Sequence, residues 1–192
     1  AFLCELPYRG SITFGGEELR DMDKSRRSSI FGYLGHDPEL LSASVRENIC
    51  MGDAQAPIPY LRAVCLDREV REMEQGLDTL VGPEGHRLSG GQAQRLALAR
   101  TLYHKRPVLI LDDPFSALDK PTEAEIFREL RELAKDSIVL LISHRLYLFP
   151  QLDRVLWMEN GTVTAGTHEE LLQKVPAYRA LAADQEGGKN RA

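Results

Sequence analysis

Nowhere in these 192 residues does an apolar run approach the length needed to cross a bilayer. The longest, Val108–Leu111 and Ile138–Ile142, fall far short of the roughly 20 residues of a spanning helix. Any service to a membrane must come through another segment or chain. Cysteine is scarce too: Cys4, Cys50 and Cys65 are an odd count without C-x-x-C spacing. That pattern fits neither a disulfide framework nor a zinc site and suits a reducing compartment. Positive charge is not in excess. A formal net charge of −5 argues against a dedicated nucleic-acid binder, but it leaves nucleotide binding open, because a phosphate site needs only local positive potential. Also lacking is the phosphate loop G-x-x-x-x-G-K-[ST]. None of Lys24, Lys105, Lys120, Lys135, Lys174 and Lys189 sits in that pattern.

What is present is a soluble balance, 43% hydrophobic and 28% charged, in a chain long enough for one domain with a real core. Gly10–Gly16 reads as a strand running into a Gly-Gly turn, followed by a charged linker, EELRDMDKSRR. Ile30–Leu34 is a second strand candidate, and Val45–Met51 a short helix. Pro59–Gly76 carries apolar residues at helical spacing opposite a charged face. Val108–Leu111 and Ile138–Ile142 suit strands covered on both faces of a parallel sheet. The helical pattern Thr122–Lys135 between them makes a strand–helix–strand unit. Val155–Met158 and Thr162–Ala165 flank Glu159-Asn160-Gly161 as a hairpin, and His168–Lys174 and Ala177–Ala183 are closing helices.

Two stretches carry chemistry. VLILDD ends a strand in Asp112 and Asp113, where open α/β sheets gather ligands and where an Asp can hold Mg²⁺ against nucleotide phosphates. The same carboxylates could simply solvate a strand end before Pro114. LSGGQ contains a capping box, Ser89 with Gln92 three residues on, which could merely start a helix. A cap, however, does not need Gly90 and Gly91. Two glycines keep side chains away from the first-turn amides, and those amides with the helix dipole form an anion site.

LSGGQAQRLALAR, VLILDD, SALD at Ser116–Asp119 and ISH at Ile142–His144 occur in that order at compact intervals. In this the chain resembles the nucleotide-binding domain of ATP-binding cassette (ABC) proteins: signature motif, Walker B strand, D-loop and switch histidine. The resemblance runs from about Gly10 to Tyr178. It implies an α/β fold with a P-loop NTPase-like, mostly parallel sheet and a helical signature subdomain at about 38–105. On this reading residues 1–183 are a partial domain and 184–192 a disordered tail. Ala1–Leu6 resembles the end of the helix after the phosphate loop, so the domain reads as truncated, inactive alone and poor at holding ATP.

In the family two such domains sandwich two ATP molecules head to tail, so the resemblance implies ATP and Mg²⁺ as cofactors. Ser89, Gly90 and Gly91 would touch the γ-phosphate of a nucleotide held by the partner, with Gln92 supporting the turn. Asp112 would serve Mg²⁺, Asp119 would reach across the dimer, and His144 would hold the attacking water. Two positions depart from the pattern. Asp113 stands where Glu usually polarises the water, which withdraws the carboxylate by roughly 1 Å, a misplacement that can cost about 10²-fold in rate. His36 stands where the Q-loop has Gln, replacing a neutral amide with an imidazole that offers one ring nitrogen. The implied result is slow hydrolysis at this domain's own site, with the intact LSGGQ still able to complete the partner's. SVRENI and GTHEELL resemble exporters, although Leu80 stands where these often carry Glu. Implied partners are transmembrane helices and a second nucleotide-binding domain, with no nucleic acid, at the cytoplasmic face of a membrane. Two rival readings are a regulatory domain that binds without hydrolysing, and a soluble ABC ATPase of DNA repair or translation.

Overall fold

The computed structural model describes residues 7–187 apart from 84 and 86; the expectations for Ala1–Leu6 and for 188–192 lie outside them. A small antiparallel pair, β1 (Thr13–Phe14) and β2 (Glu17–Glu18), opens the described chain. The charged linker expected next is in fact structured. A 3₁₀ turn, Leu19–Asp21, buries Leu19, and helix α1 (Lys24–Ile30) follows. Asp23 starts α1 by accepting the Arg26 N–H at 2.7 Å, and the helix buries Ile30.

The main sheet is parallel and three-stranded. Its order is β3 (Phe31–Leu34), β6 (Val108–Asp112), β7 (Ile138–Ile142). Leu34 pairs with Leu111 and Asp112 with Ile142, so the carboxyl ends lie level. The middle strand is the one buried along its length, as expected where both faces are covered. Leu19, Met22, Ile30, Val108 and Ile110 form a core cluster on it. At the sheet margin, Ile138 and Ile142 of β7 are 59% and 54% exposed, which departs from the two-sided burial their composition suggested. β6 and β7 are connected through α6 (Lys120–Leu133), the crossover the pattern predicts.

Between β3 and β6 lies a helical region. It comprises β4 (Ala43–Ser44), α2 (Val45–Cys50), α3 (Ile58–Ala63), α4 (Asp67–Glu72), β5 (Leu80–Val81) and α5 (Gly90–Tyr103). The single helix expected over 59–76 is two. Cys65 takes a left-handed φ of 54°, which an α-helix does not tolerate, and the chain turns there. SVRENI is explained locally. Ser44 and Glu47 form a capping box on α2, while buried Asn48 accepts from Leu41 N and donates to the carbonyls of Leu41, Ala43 and Ser44.

The chain divides into two compact units, one up to Ile142 and one from Ser143. The second holds a 3₁₀ segment (Leu146–Gln151), the hairpin β8 (Val155–Glu159) and β9 (Thr162–Gly166), and helices α7 (His168–Lys174) and α8 (Pro176–Gly187). Thr167 and Glu170 form a capping box on α7. His168 Nδ1 meets the hydroxyl of buried Tyr178 at 2.7 Å. α8 runs to Gly187, past the expected boundary at 183. Among the described residues, no helix is long and apolar enough to cross a membrane.

Candidate nucleotide site

The first cluster forms where β3 and β6 end. Asp112 closes β6, half-buried. Asp113 follows with φ 46°, a left-handed conformation that Asp adopts more readily than most residues. Its amide donates to Ile142 O at 2.8 Å and its carbonyl accepts from Ser116 N at 3.1 Å. The neighbouring strand and the turn that follows thus fix the backbone that aims the carboxylate, and the side chain is 13% exposed. His36, two residues beyond β3, reaches this carboxylate: its Nδ1 lies 3.9 Å from Asp113 Oδ2. That is close enough for electrostatic contact and too long for a hydrogen bond. The sheet therefore brings His36, from the segment after β3, beside Asp113 of the VLILDD motif that also carries Asp112.

No group of three or more His, Cys, Asp and Glu side chains converges on a metal-sized point among the described residues. The donor set at the end of β6 still suits Mg²⁺, which keeps several waters and takes one or two carboxylates plus substrate phosphates rather than a protein cage. Asp112 is the half-buried carboxylate that ends this strand and would be the one to hold such an ion.

The second cluster is the start of α5. Ser89 Oγ accepts from Gln92 N at 3.2 Å, and Gln92 Oε1 accepts from Ser89 N at 2.8 Å, so the capping box is formed on both sides. The two glycines differ in purpose. A Cβ on Gly90 would meet nothing within 4 Å, whereas one on Gly91 would stand 3.0 Å from the carbonyl oxygen of Ala117. Gly91 thus lets the signature turn lie against the SALD segment, and Gly90 leaves open space over the first turn. Sequence reasoning assigned both glycines to ligand access and missed this packing role.

Asp119 caps α6. Its two carboxylate oxygens accept from Thr122 N at 3.0 Å and Thr122 Oγ1 at 2.9 Å, and these bonds hold its carboxyl below the ordinary range. What the structure shows of this residue is therefore a helix cap. His144 lies in the second unit, exposed. Its carbonyl accepts from the Gln185 amide, whose oxygen accepts from Leu146 N, so α8 steadies the loop that carries the histidine. The structure adds Arg100, which donates to Glu39 O at 2.9 Å and ties α5 to the segment after His36. An arginine in LALAR gives no sign of this, because the partner is a backbone atom 61 residues away.

Carboxylates beyond a parallel sheet, with a helical insertion bearing a glycine-opened turn, define a P-loop-type α/β nucleotide-binding fold. A family model described as ABC transporter matches residues 2–116, and the chain belongs to that family. It is 38% identical over 184 residues to an ATP-dependent lipid A-core flippase of Vibrio vulnificus (strain CMCP6), covering 93% of this chain and 32% of that protein. It is 37% identical over 186 residues to ABC transporter B family member 28 of Arabidopsis thaliana, covering 93% and 26%. It is 36% identical over 193 residues to a Bacillus subtilis (strain 168) protein named probable multidrug resistance ABC transporter ATP-binding/permease protein YheI, covering 95% and 33%. Among solved structures, a bacterial Atm1-family ABC exporter with ATP bound aligns with TM-score 0.88 and 29% identity, over 96% of this chain and 33% of that one. The chain spans between about a quarter and a third of the length of these relatives.

Proposed function

We propose that this chain is the ATP-hydrolysing part of a membrane exporter, acting at a head-to-tail interface with a second nucleotide-binding domain. Ser89, Gly90 and Gly91 present the first turn of α5 to the terminal phosphate of a nucleotide held chiefly by the facing domain. Asp112 holds Mg²⁺ at the domain's own site. Asp113 and His36 face the water there, Asp119 lies at the interface while capping α6, and His144 is the switch histidine of the family pattern. Transmembrane helices, fused or separate, couple closure of the pair to transport. The observation that carries this reading is the open space above Gly90 on a helix start whose cap is complete. A purely structural cap leaves no reason for a missing side chain there.

Filling that space with a like charge is the direct test. Gly90→Asp in the assembled exporter puts a carboxylate where a phosphate is to sit, and such juxtaposition costs several kcal/mol. ATPase activity is expected to fall by about tenfold or more while the unfolding midpoint holds. Activity unchanged by that substitution overturns the reading. Asp113 being short by a methylene, the domain's own site is expected to turn over more slowly than the site its signature completes.

A further inference from the structure

Beyond the signature itself, α4 supplies a carboxylate that nothing in the motif predicts. Glu69 Oε2 accepts from Gln92 Nε2 at 2.7 Å, and Glu69 Oε1 accepts from Arg95 Nη1 at 2.7 Å. Arg95 is itself held from two further directions. It donates to the Cys65 carbonyl at 2.6 Å and to the Gly91 carbonyl at 3.2 Å. The Cys65 carbonyl is available because the chain turns left-handed there, between α3 and α4. The kink that breaks the expected long helix thus delivers both the acceptor and Glu69 to the foot of α5.

The consequence falls on Gln92. A side-chain amide has two ends of similar size, one a donor and one an acceptor. For the capping box its oxygen must face the Ser89 amide, and turned over it would set donor against donor. Glu69, an acceptor only, binds the nitrogen end and so excludes the turned state. Burial by itself would raise the Glu69 carboxyl; the hydrogen bonds from Arg95 and Gln92 outweigh it, so the group sits below its ordinary value and stays an acceptor at neutral pH.

We infer that Glu69, with Arg95, is a positioning residue for the signature turn: it fixes the Gln92 amide, and through it Ser89 and the first-turn amides, in the geometry a facing nucleotide meets. This rests on the proposed trans role of LSGGQ. A residue acting through another should lose its effect when that other is removed, which a double-mutant cycle reads.

In the assembled exporter, reconstituted in lipid, ATP KM and kcat are measured for Glu69→Ala, Gln92→Ala and the double variant. Glu69→Ala is expected to raise the KM for ATP by about tenfold, and by less than about twofold when Gln92 is already Ala. Glu69→Gln, which keeps one acceptor oxygen, is expected to fall between Glu69→Ala and the parent. Equal effects of Glu69→Ala in both backgrounds reduce the residue to general support and overturn the inference, as does an unchanged KM. Gly90→Asp, run alongside, separates the two levels. If Gly90→Asp abolishes turnover while Glu69→Ala does nothing, the positioning role alone is wrong. If Gly90→Asp is also silent, the trans reading falls with it.

Discussion

Asp113 combines two constraints in one residue, a left-handed backbone and a shortened side chain. The φ of 46° is one an Asp can hold, and the hydrogen bonds to Ile142 and Ser116 keep it there. On the proposed reading the carboxylate falls a methylene short of the attacking water, and His36 Nδ1 stands 3.9 Å from it. Lengthening the carboxylate with Asp113→Glu, alone or with His36→Gln, is expected to raise turnover at this site by about 10-fold or more, given that a displacement of about 1 Å can cost about 10² in rate. Single-turnover hydrolysis with the opposite site disabled measures it. Glu18 is a second residue whose surroundings were hidden in a run of charges. It accepts from Tyr8 and Ser11 hydroxyls, Ile12 N and Arg20 Nε, and these bonds, Ser11 first, lower its carboxyl to about 2. A depressed carboxyl stabilises the fold fully above its unfolded value and loses that contribution as pH falls through the folded one. The stability advantage of the parent over Glu18→Gln should therefore be complete at neutral pH and shrink progressively from about pH 4.5 toward about 2. Chemical unfolding across that range tests the sign.

At the scale of elements, the segments legible in the sequence were those with continuous aliphatic runs or complete caps. Strand β6, the crossover α6, strand β7, the 155–166 hairpin and the capping box of α5 follow from composition and spacing. Those that were not legible depend on a single residue. Helix α1 sits in a charged stretch and offers only Ile30 to the core, so periodicity has nothing to repeat. The break between α3 and α4 turns on one left-handed cysteine, a residue type that gives no warning of positive φ. The site was legible as separate motifs; its assembly was not, because His36 meets Asp113 across two strands and Glu69 meets Gln92 across two helices. Asn48 shows how much one buried side chain can organise. Replacing it with Ala removes its bonds to the Leu41 N–H and to three carbonyls, of which that of Leu41 keeps the Ala43 N–H. Asn48→Ala should cost about 2 kcal/mol or more, the penalty for stranding buried polar groups, read as a lower denaturation midpoint with unchanged m-value.

For the molecule as a whole, the proposed function assigns the signature turn and the β6 carboxylates to two different nucleotide sites. The 192 residues contain no G-x-x-x-x-G-K-[ST], so neither brings the backbone cradle that grips the β- and γ-phosphates. Titration of the chain by itself with Mg-ATP is expected to give an affinity weaker than about 1 mM, about 4 kcal/mol of binding; micromolar binding would mean that the residues present suffice.

The outer margin of β7 has a practical sequel. Among the described residues β7 ends the sheet order, and a margin strand whose isoleucines are more than half exposed is a template for a passing extended chain. Handled by itself, this polypeptide will tend to clump through residues 138–142, and mild surfactant or a short blocking peptide laid along them should keep it clear.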